Sequence, residues 1–130
     1  MKNNTDVARG WMEKALSDLK TAEILLSAGG PTDTCCFHSQ QAVEKTFKAF
    51  LCVHGVVPEK THDLEELSRK CRQIVPDLII DEKIAELTEY AVGLRYDVEF
   101  WPDIETAEKA YAMAMSLFNE ISIKIGFDKD

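Results

Sequence analysis

Cys36-Phe37-His38-Ser39-Gln40-Gln41-Ala42-Val43-Glu44-Lys45-Thr46-Phe47-Lys48-Ala49-Phe50-Leu51 is the stretch whose reading decides the fold. Apolar residues recur in it at helical spacing and neither Gly nor Pro interrupts them, which predicts the middle of one long helix. At about 100° per residue, Cys36, Val43, Phe47, Phe50, Leu51 and His54 share one arc, and Cys35, Ala42, Thr46, Ala49 and Val53 form a second arc of small side chains. What remains is a narrow polar stripe of His38, Gln41, Glu44, Lys45 and Lys48, neighbours at helical spacing. A mostly buriable helix with one charged ribbon points to a cleft or an interface.

Moving outward, Ala8, Met12, Ala15, Leu19, Ala22 and Leu26 form a bundle-type seam, with Trp11 at its flank, which predicts a first helix over residues 5 to 28. Gly29-Gly30-Pro31 stops it, and Thr32 or Asp33 is placed to cap the central helix, so the two form an antiparallel hairpin. The central helix is expected to end near His54-Gly55, with Val56-Val57-Pro58 extended. Asp63 with Glu66 has the form of a capping box before Leu64, Leu67, Cys71 and Ile74, a short third helix. Pro76 ends it. Asp81 is placed to cap a fourth helix with a seam of Ile84, Leu87, Ala91 and Leu94, weakened at Gly93. Residues 95 to 103 are the least helical, and Asp103 begins a long fifth helix whose seam runs Ile104, Ala107, Tyr111, Ala114, Phe118, Ile121, Ile125. Alanines at 107, 110, 112 and 114 allow close approach of another helix, within the chain or across a homodimer. The expected fold is all-α, an up-and-down bundle of about five helices in a single domain over residues 1 to 130.

With 130 residues, 45% hydrophobic and 29% charged, the chain is long enough to bury a core without disulfides, and neither a disordered nor a membrane class is indicated. No signal peptide or spanning run is visible, so a cytoplasmic location is the default expectation. Cys35, Cys36, Cys52 and Cys71 lack Cys-x-x-Cys spacing and read as reduced, buried thiols. Cys36 with His38 and Cys52 with His54 cannot pinch one metal ion, because residues two apart on a helix point about 200° apart. The net charge is −8, and its distribution is uneven: residues 1 to 58 hold six acids and six bases, residues 59 to 130 seventeen acids and nine bases. That excludes general coating of nucleic acid and suits a basic partner surface.

The 36–51 string resembles the second helix of the HEPN family, the small helical domain named for higher eukaryotes and prokaryotes nucleotide-binding. Lys60-Thr61-His62-Asp63-Leu64 is similar to that family's entry to helix three, and Leu94-Arg95-Tyr96-Asp97 to the turn after helix four, so the likeness spans roughly residues 8 to 125. It implies a helical bundle whose cleft is lined near the Gln-Gln-Ala-x-Glu-Lys string. It further implies a homodimer paired with a small nucleotidyltransferase protein in a toxin–antitoxin-like system, with a nucleotide as ligand. In the family's ribonuclease branch an Arg is followed by a His with four to six residues between them. Here the positions after Arg95 hold Phe100, Trp101 and Pro102, so that His is missing and a non-catalytic module is expected.

The candidate ligand-binding residues are His38, Gln41, Glu44, Lys45, Lys48, Arg95, Tyr96 and Asp97. Two lysines one turn apart supply point charges and an Arg a planar fork, which together can hold phosphates or a partner's carboxylates. The competing expectation is a solvated face in which Glu44 and Lys48 form an i,i+4 pair of about 0.3 kcal/mol. Gln40, on the apolar side, needs partners, and the Arg95 to Asp97 turn is the preferred source. His54 reads as a core or last-turn histidine and His62 as a helix-entry residue bonded to a neighbouring loop. Phe100 and Trp101 read as a lid or an interface anchor. No metal or other cofactor is expected, and Gly29-Gly30 lacks any phosphate-cradling pattern. Two alternatives stand beside the binding module. One is a divergent metal-independent ribonuclease using Arg95 with His38 or His62; the other is a purely structural dimerisation domain.

Overall fold

The computed structural model describes residues 3 to 128 and contains four α-helices: α1 (Asn4–Ser27), α2 (Thr32–Val53), α3 (Leu64–Ile74) and α4 (Ile104–Ile125). Two 3-10 segments, Ile84–Tyr90 and Leu94–Tyr96, lie between α3 and α4. No strand occurs among the described residues, and none of their helices is long and apolar enough to cross a membrane.

α2 is the axis of the molecule, touching α1, α3, α4 and the first 3-10 segment. Both of its apolar arcs are used: Cys36, Val43, Phe47, Phe50 and Leu51 are buried, and so are Cys35, Ala42, Thr46 and Ala49. α1 covers one flank through Ala8, Met12, Ala15, Leu19 and Ala22. α4 covers another through Ala107, Ala110, Ala114, Leu117, Phe118 and Ile121, so three of its four alanines are spent inside the chain. Ile104, at the head of the expected seam, is 41% exposed, and the buried face of α4 begins at Ala107.

The α1–α2 turn follows from its glycines: Gly29 sits at φ 84° and Gly30 at φ 132°, conformations open to a residue without Cβ. Neither Thr32 nor Asp33 caps α2. Pro31 occupies that position without a side-chain bond, and the Thr32 hydroxyl instead donates to the Pro102 carbonyl at 2.6 Å. Asp63 does cap α3, accepting from the amides of Glu65 and Glu66. The reciprocal half of the expected capping box is absent: the Asp63 amide donates to Thr61 Oγ1, and Glu66 turns to Lys70.

The expected fourth α-helix is a correction. Ile84–Tyr90 winds as a 3-10 helix, in which side chains three apart eclipse one another, so Ile84, Leu87 and Tyr90 fall along one edge. Ile84 and Leu87 are buried, and the Thr88 hydroxyl accepts the Leu64 amide at 3.1 Å, tying the segment to the start of α3. Asp81 closes a local turn on the Lys83 amide rather than capping an α-helix. All four cysteines are free and buried, and burial is the main cause that pushes the thiols of Cys36 and Cys71 up to about 12.

Candidate functional site

Because α2 is buried on most of its circumference, its polar ribbon is squeezed between neighbours. Glu44 is 5% and Lys48 7% exposed. Lys48 Nζ sits 2.9 Å from one Glu44 oxygen, and His62 Nδ1 donates to the other at 2.7 Å. Gln40 Nε2 lies at 3.3 Å from that same oxygen and 3.4 Å from the His62 carbonyl, and Gln41 donates to Gln40 at 2.7 Å. Burial pushes the Glu44 carboxyl up, but the bonds from His62, Lys48 and Gln40 and the Lys48 charge outweigh it and hold it below its ordinary range. Lys48 also lies 5.5 Å from the Trp11 ring, so this knot fastens α2 to α1 and to the entry of α3. Gln40 therefore finds its partners in Glu44, Gln41 and His62, not in the turn of residues 95 to 97, whose Arg95 stacks on Phe37 instead.

Asp18 of α1 organises the other half of the ribbon. One of its oxygens accepts His38 Nδ1 at 2.8 Å and the other accepts Lys45 Nζ at 2.7 Å, with Asp18 itself 7% exposed. A carboxylate only accepts, so Nδ1 carries the His38 proton and Nε2 keeps a lone pair while the ring is neutral. Sequence reasoning missed Asp18. The signal was an acid placed three residues after Ala15 and four before Ala22, on the buried side of α1.

His38 also faces outward, into a cleft of about 280 Å³. Asp33, Thr34, Phe37 and His38, from the first turns of α2, form one wall; Tyr90, Arg95 and Phe100 form the other. The Arg95 guanidinium stacks on Phe37 at 4.0 Å from the ring centroid and has no carboxylate partner among the described residues. Tyr90 and Phe100 stack at 5.7 Å and 26°. Burial, with the neighbouring Cys36 and Glu86, pushes the Tyr90 hydroxyl up to about 12, so it stays protonated. The Thr32 bond to Pro102 ties the Phe100 loop to the head of α2.

Of the eight candidate residues, the structure brings two, His38 and Arg95, into this cleft. Tyr96 adjoins the guanidinium at 5.7 Å and is 76% exposed. Lys45 reaches the cleft only through Asp18; Gln41, Glu44 and Lys48 belong to the buried knot, and Asp97 closes its own turn on the Glu99 amide. Lys45, Lys48 and Arg95 thus do not form one cationic pocket: each lysine is taken by a carboxylate from a neighbouring helix or its own. Sequence reasoning also missed Asp33, Thr34, Phe37 and Tyr90 as lining. His62 serves Glu44, and His54 lies exposed over Phe50 at the last turn of α2, not in the core. Trp101 is 71% exposed and Phe100 is half-buried.

Two concavities are larger. One of about 550 Å³ runs along the outer face of α1 and contains no histidine; one of about 340 Å³ beside Trp11 has no charged side chain in its lining. Neither joins a free cation to an imidazole and aromatic walls. Among the described residues no three His, Cys, Asp or Glu side chains converge as a metal site.

Comparison with known proteins agrees with this architecture. A Methanocaldococcus jannaschii protein described as "Putative toxin MJ1304" is 28% identical over 121 residues, covering 82% of this chain and 76% of that one. The crystal structure of TT1696 from Thermus thermophilus superposes with a TM-score of 0.73 at 23% identity, covering 90% of this chain and 97% of that one, a likeness of fold. The HEPN domain matches residues 8–124, nearly the whole chain, and the chain belongs to the HEPN domain family.

Proposed function

We propose that the chain is a nucleotide-binding HEPN module of a toxin–antitoxin pair, working as a homodimer beside a small nucleotidyltransferase. The observation that carries this is the cleft in which Arg95, stacked on Phe37 and without a carboxylate partner among the described residues, stands across from His38 between aromatic walls. A guanidinium supplies a fork for phosphate oxygens and the rings supply faces for a base. The toxin relation draws support from the archaeal relative described above. Partner contact draws on two features: the acidic second half of the chain, and the exposed Tyr96, Val98 and Trp101 beside the cleft. Titrating purified protein with nucleotides, alone and with a small nucleotidyltransferase from the same genome, tests the reading. Binding and co-purification that persist in Arg95→Ala at parental strength would defeat it.

A second reading is favoured by one observation. The imidazole of His38 shares the cleft with Arg95, and Asp18 behind it leaves Nε2 free to take a proton. That arrangement fits metal-independent cleavage of RNA: His38 takes the proton of a ribose 2′-hydroxyl as that oxygen bonds to phosphorus, the bond from phosphorus to the 5′-oxygen breaks, the 5′-oxygen leaves with a proton from water, and Arg95 steadies the phosphate. RNA cleavage in EDTA, lost in His38→Ala and Arg95→Ala alike, distinguishes it from binding alone.

A further inference from the structure

We infer that the cleft selects a nucleotide unit whose phosphate is a diester carrying a single negative charge, and discriminates against mononucleotides with charged phosphate chains. This rests on the nucleotide reading above and concerns its charge class. The cleft offers one full cation, the Arg95 guanidinium. The two lysines of α2 are unavailable: Lys45 is held by Asp18 at 2.7 Å and Lys48 by Glu44 at 2.9 Å. His38 spends Nδ1–H on Asp18 and, when neutral, presents only a lone pair. The head of α2 forms one wall and has no side-chain cap, so its amides add a partial positive charge of about 0.5.

Against these stands the Asp33 carboxylate in the same wall. The local sum is one guanidinium plus a helix end less one carboxylate, roughly half a positive charge. A single phosphodiester is matched by that sum. A triphosphate is not, and each further phosphate would meet both Asp33 and the field of a chain with net charge −8. Asp33 has a second use, because a carboxylate accepts hydrogen bonds and can take a ribose hydroxyl or a base amino group. Two sources carry this chemistry, an internal unit of a strand and a cyclic nucleotide.

The test is calorimetric titration of the full chain at neutral pH, low salt and in EDTA. The probes are 2′-O-methylated ApA, which cannot be cleaved, 3′,5′-cyclic AMP, AMP and ATP. Both diesters, or whichever of them is the true source, are expected to bind at least about tenfold tighter than ATP, with AMP between. Asp33→Asn is expected to narrow the gap to about threefold by admitting ATP. ApA alone binding identifies the strand, cyclic AMP alone the small molecule, and both outcomes support the inference. ATP binding as tightly as the diesters, still lost in Arg95→Ala, overturns the charge selection and leaves the nucleotide cleft standing. No binding by any probe removes the cleft and the inference together.

Discussion

Around Glu44 and around Arg95 the same kinds of side chain end in opposite states. Glu44 is saturated: both oxygens are taken, its lysine is 9% and it is 7% side-chain exposed, and an amide and an imidazole close the rest. Arg95 stacks on Phe37, about two turns before Glu44 on α2, yet among the described residues its guanidinium meets aromatic faces and no carboxylate. A buried ion pair is weak evidence of net stability, because desolvation offsets its attraction, but it fixes how helices sit against one another. A guanidinium resting on an aromatic shelf contributes little to folding and keeps its donors for a ligand. The difference teaches that the ribbon of α2 is divided into a closed half that holds the bundle and an open half that can recognise something.

The largest expected effect breaks the closed half. Lys48→Ala leaves a buried carboxylate without its cation and should lower stability by about 3 kcal/mol, the low end for a broken buried pair because His62 and Gln40 remain. Denaturant midpoints at constant slope would show it. Acid sharpens the same point. The folded Glu44 carboxyl lies below its ordinary value of 4.5, so its contribution is present above that pH and disappears as the pH falls through the folded value. Stability measured down an acid series should therefore drop there in the parent and drop less steeply in Lys48→Ala; equal slopes would show that the lysine is not what holds the proton off. Arg95→Ala addresses the open half. It should cost nucleotide binding about 1.5–3 kcal/mol, as for a charged hydrogen bond, while the midpoint of unfolding moves by no more than about 0.5 kcal/mol. A large stability loss there would make Arg95 another structural cation and erase the contrast.

How much of this was legible in the sequence depends on whether the deciding partner lies on the same helix. The seam of α1, that of α4 from Ala107 on, and the caps at Asp63 and Asp103 are local patterns, and they stand where spacing puts them. The polar stripe of α2 was also legible as a stripe. Its meaning was not, because periodicity says which residues share a face and nothing about Asp18 arriving from α1 or His62 from the α2–α3 connection. The segment Ile84–Tyr90 misled for a related reason: a spacing of three then four serves an α-helix, and Ile84, Leu87 and Ala91 are all buried as it asks, but the chain winds there as a 3-10 helix tied by Thr88 to Leu64. The family likeness located Arg95 in its turn. It could not place Phe37, Tyr90 and Phe100 around it, since tertiary packing brings them together.

The smallest expected effect concerns the hinge of the open half. Thr32 donates to the Pro102 carbonyl at 2.6 Å, a single part-buried bond that spans the cleft-bearing loop and the head of α2. Thr32→Val keeps the shape and removes the donor, which should cost about 1 kcal/mol of stability. The more telling readout is local. If this bond is what holds Phe100 over the cleft, amide exchange over residues 97 to 103 should quicken while the buried middle of α4 stays as slow as before, and nucleotide affinity should weaken by about fivefold, on the scale of one such bond. Unchanged exchange in that loop would mean that the Tyr90–Phe100 stack holds it alone, and that the open half of the ribbon owes its shape to aromatic packing on the 3-10 segment and not to the N-terminus of α2.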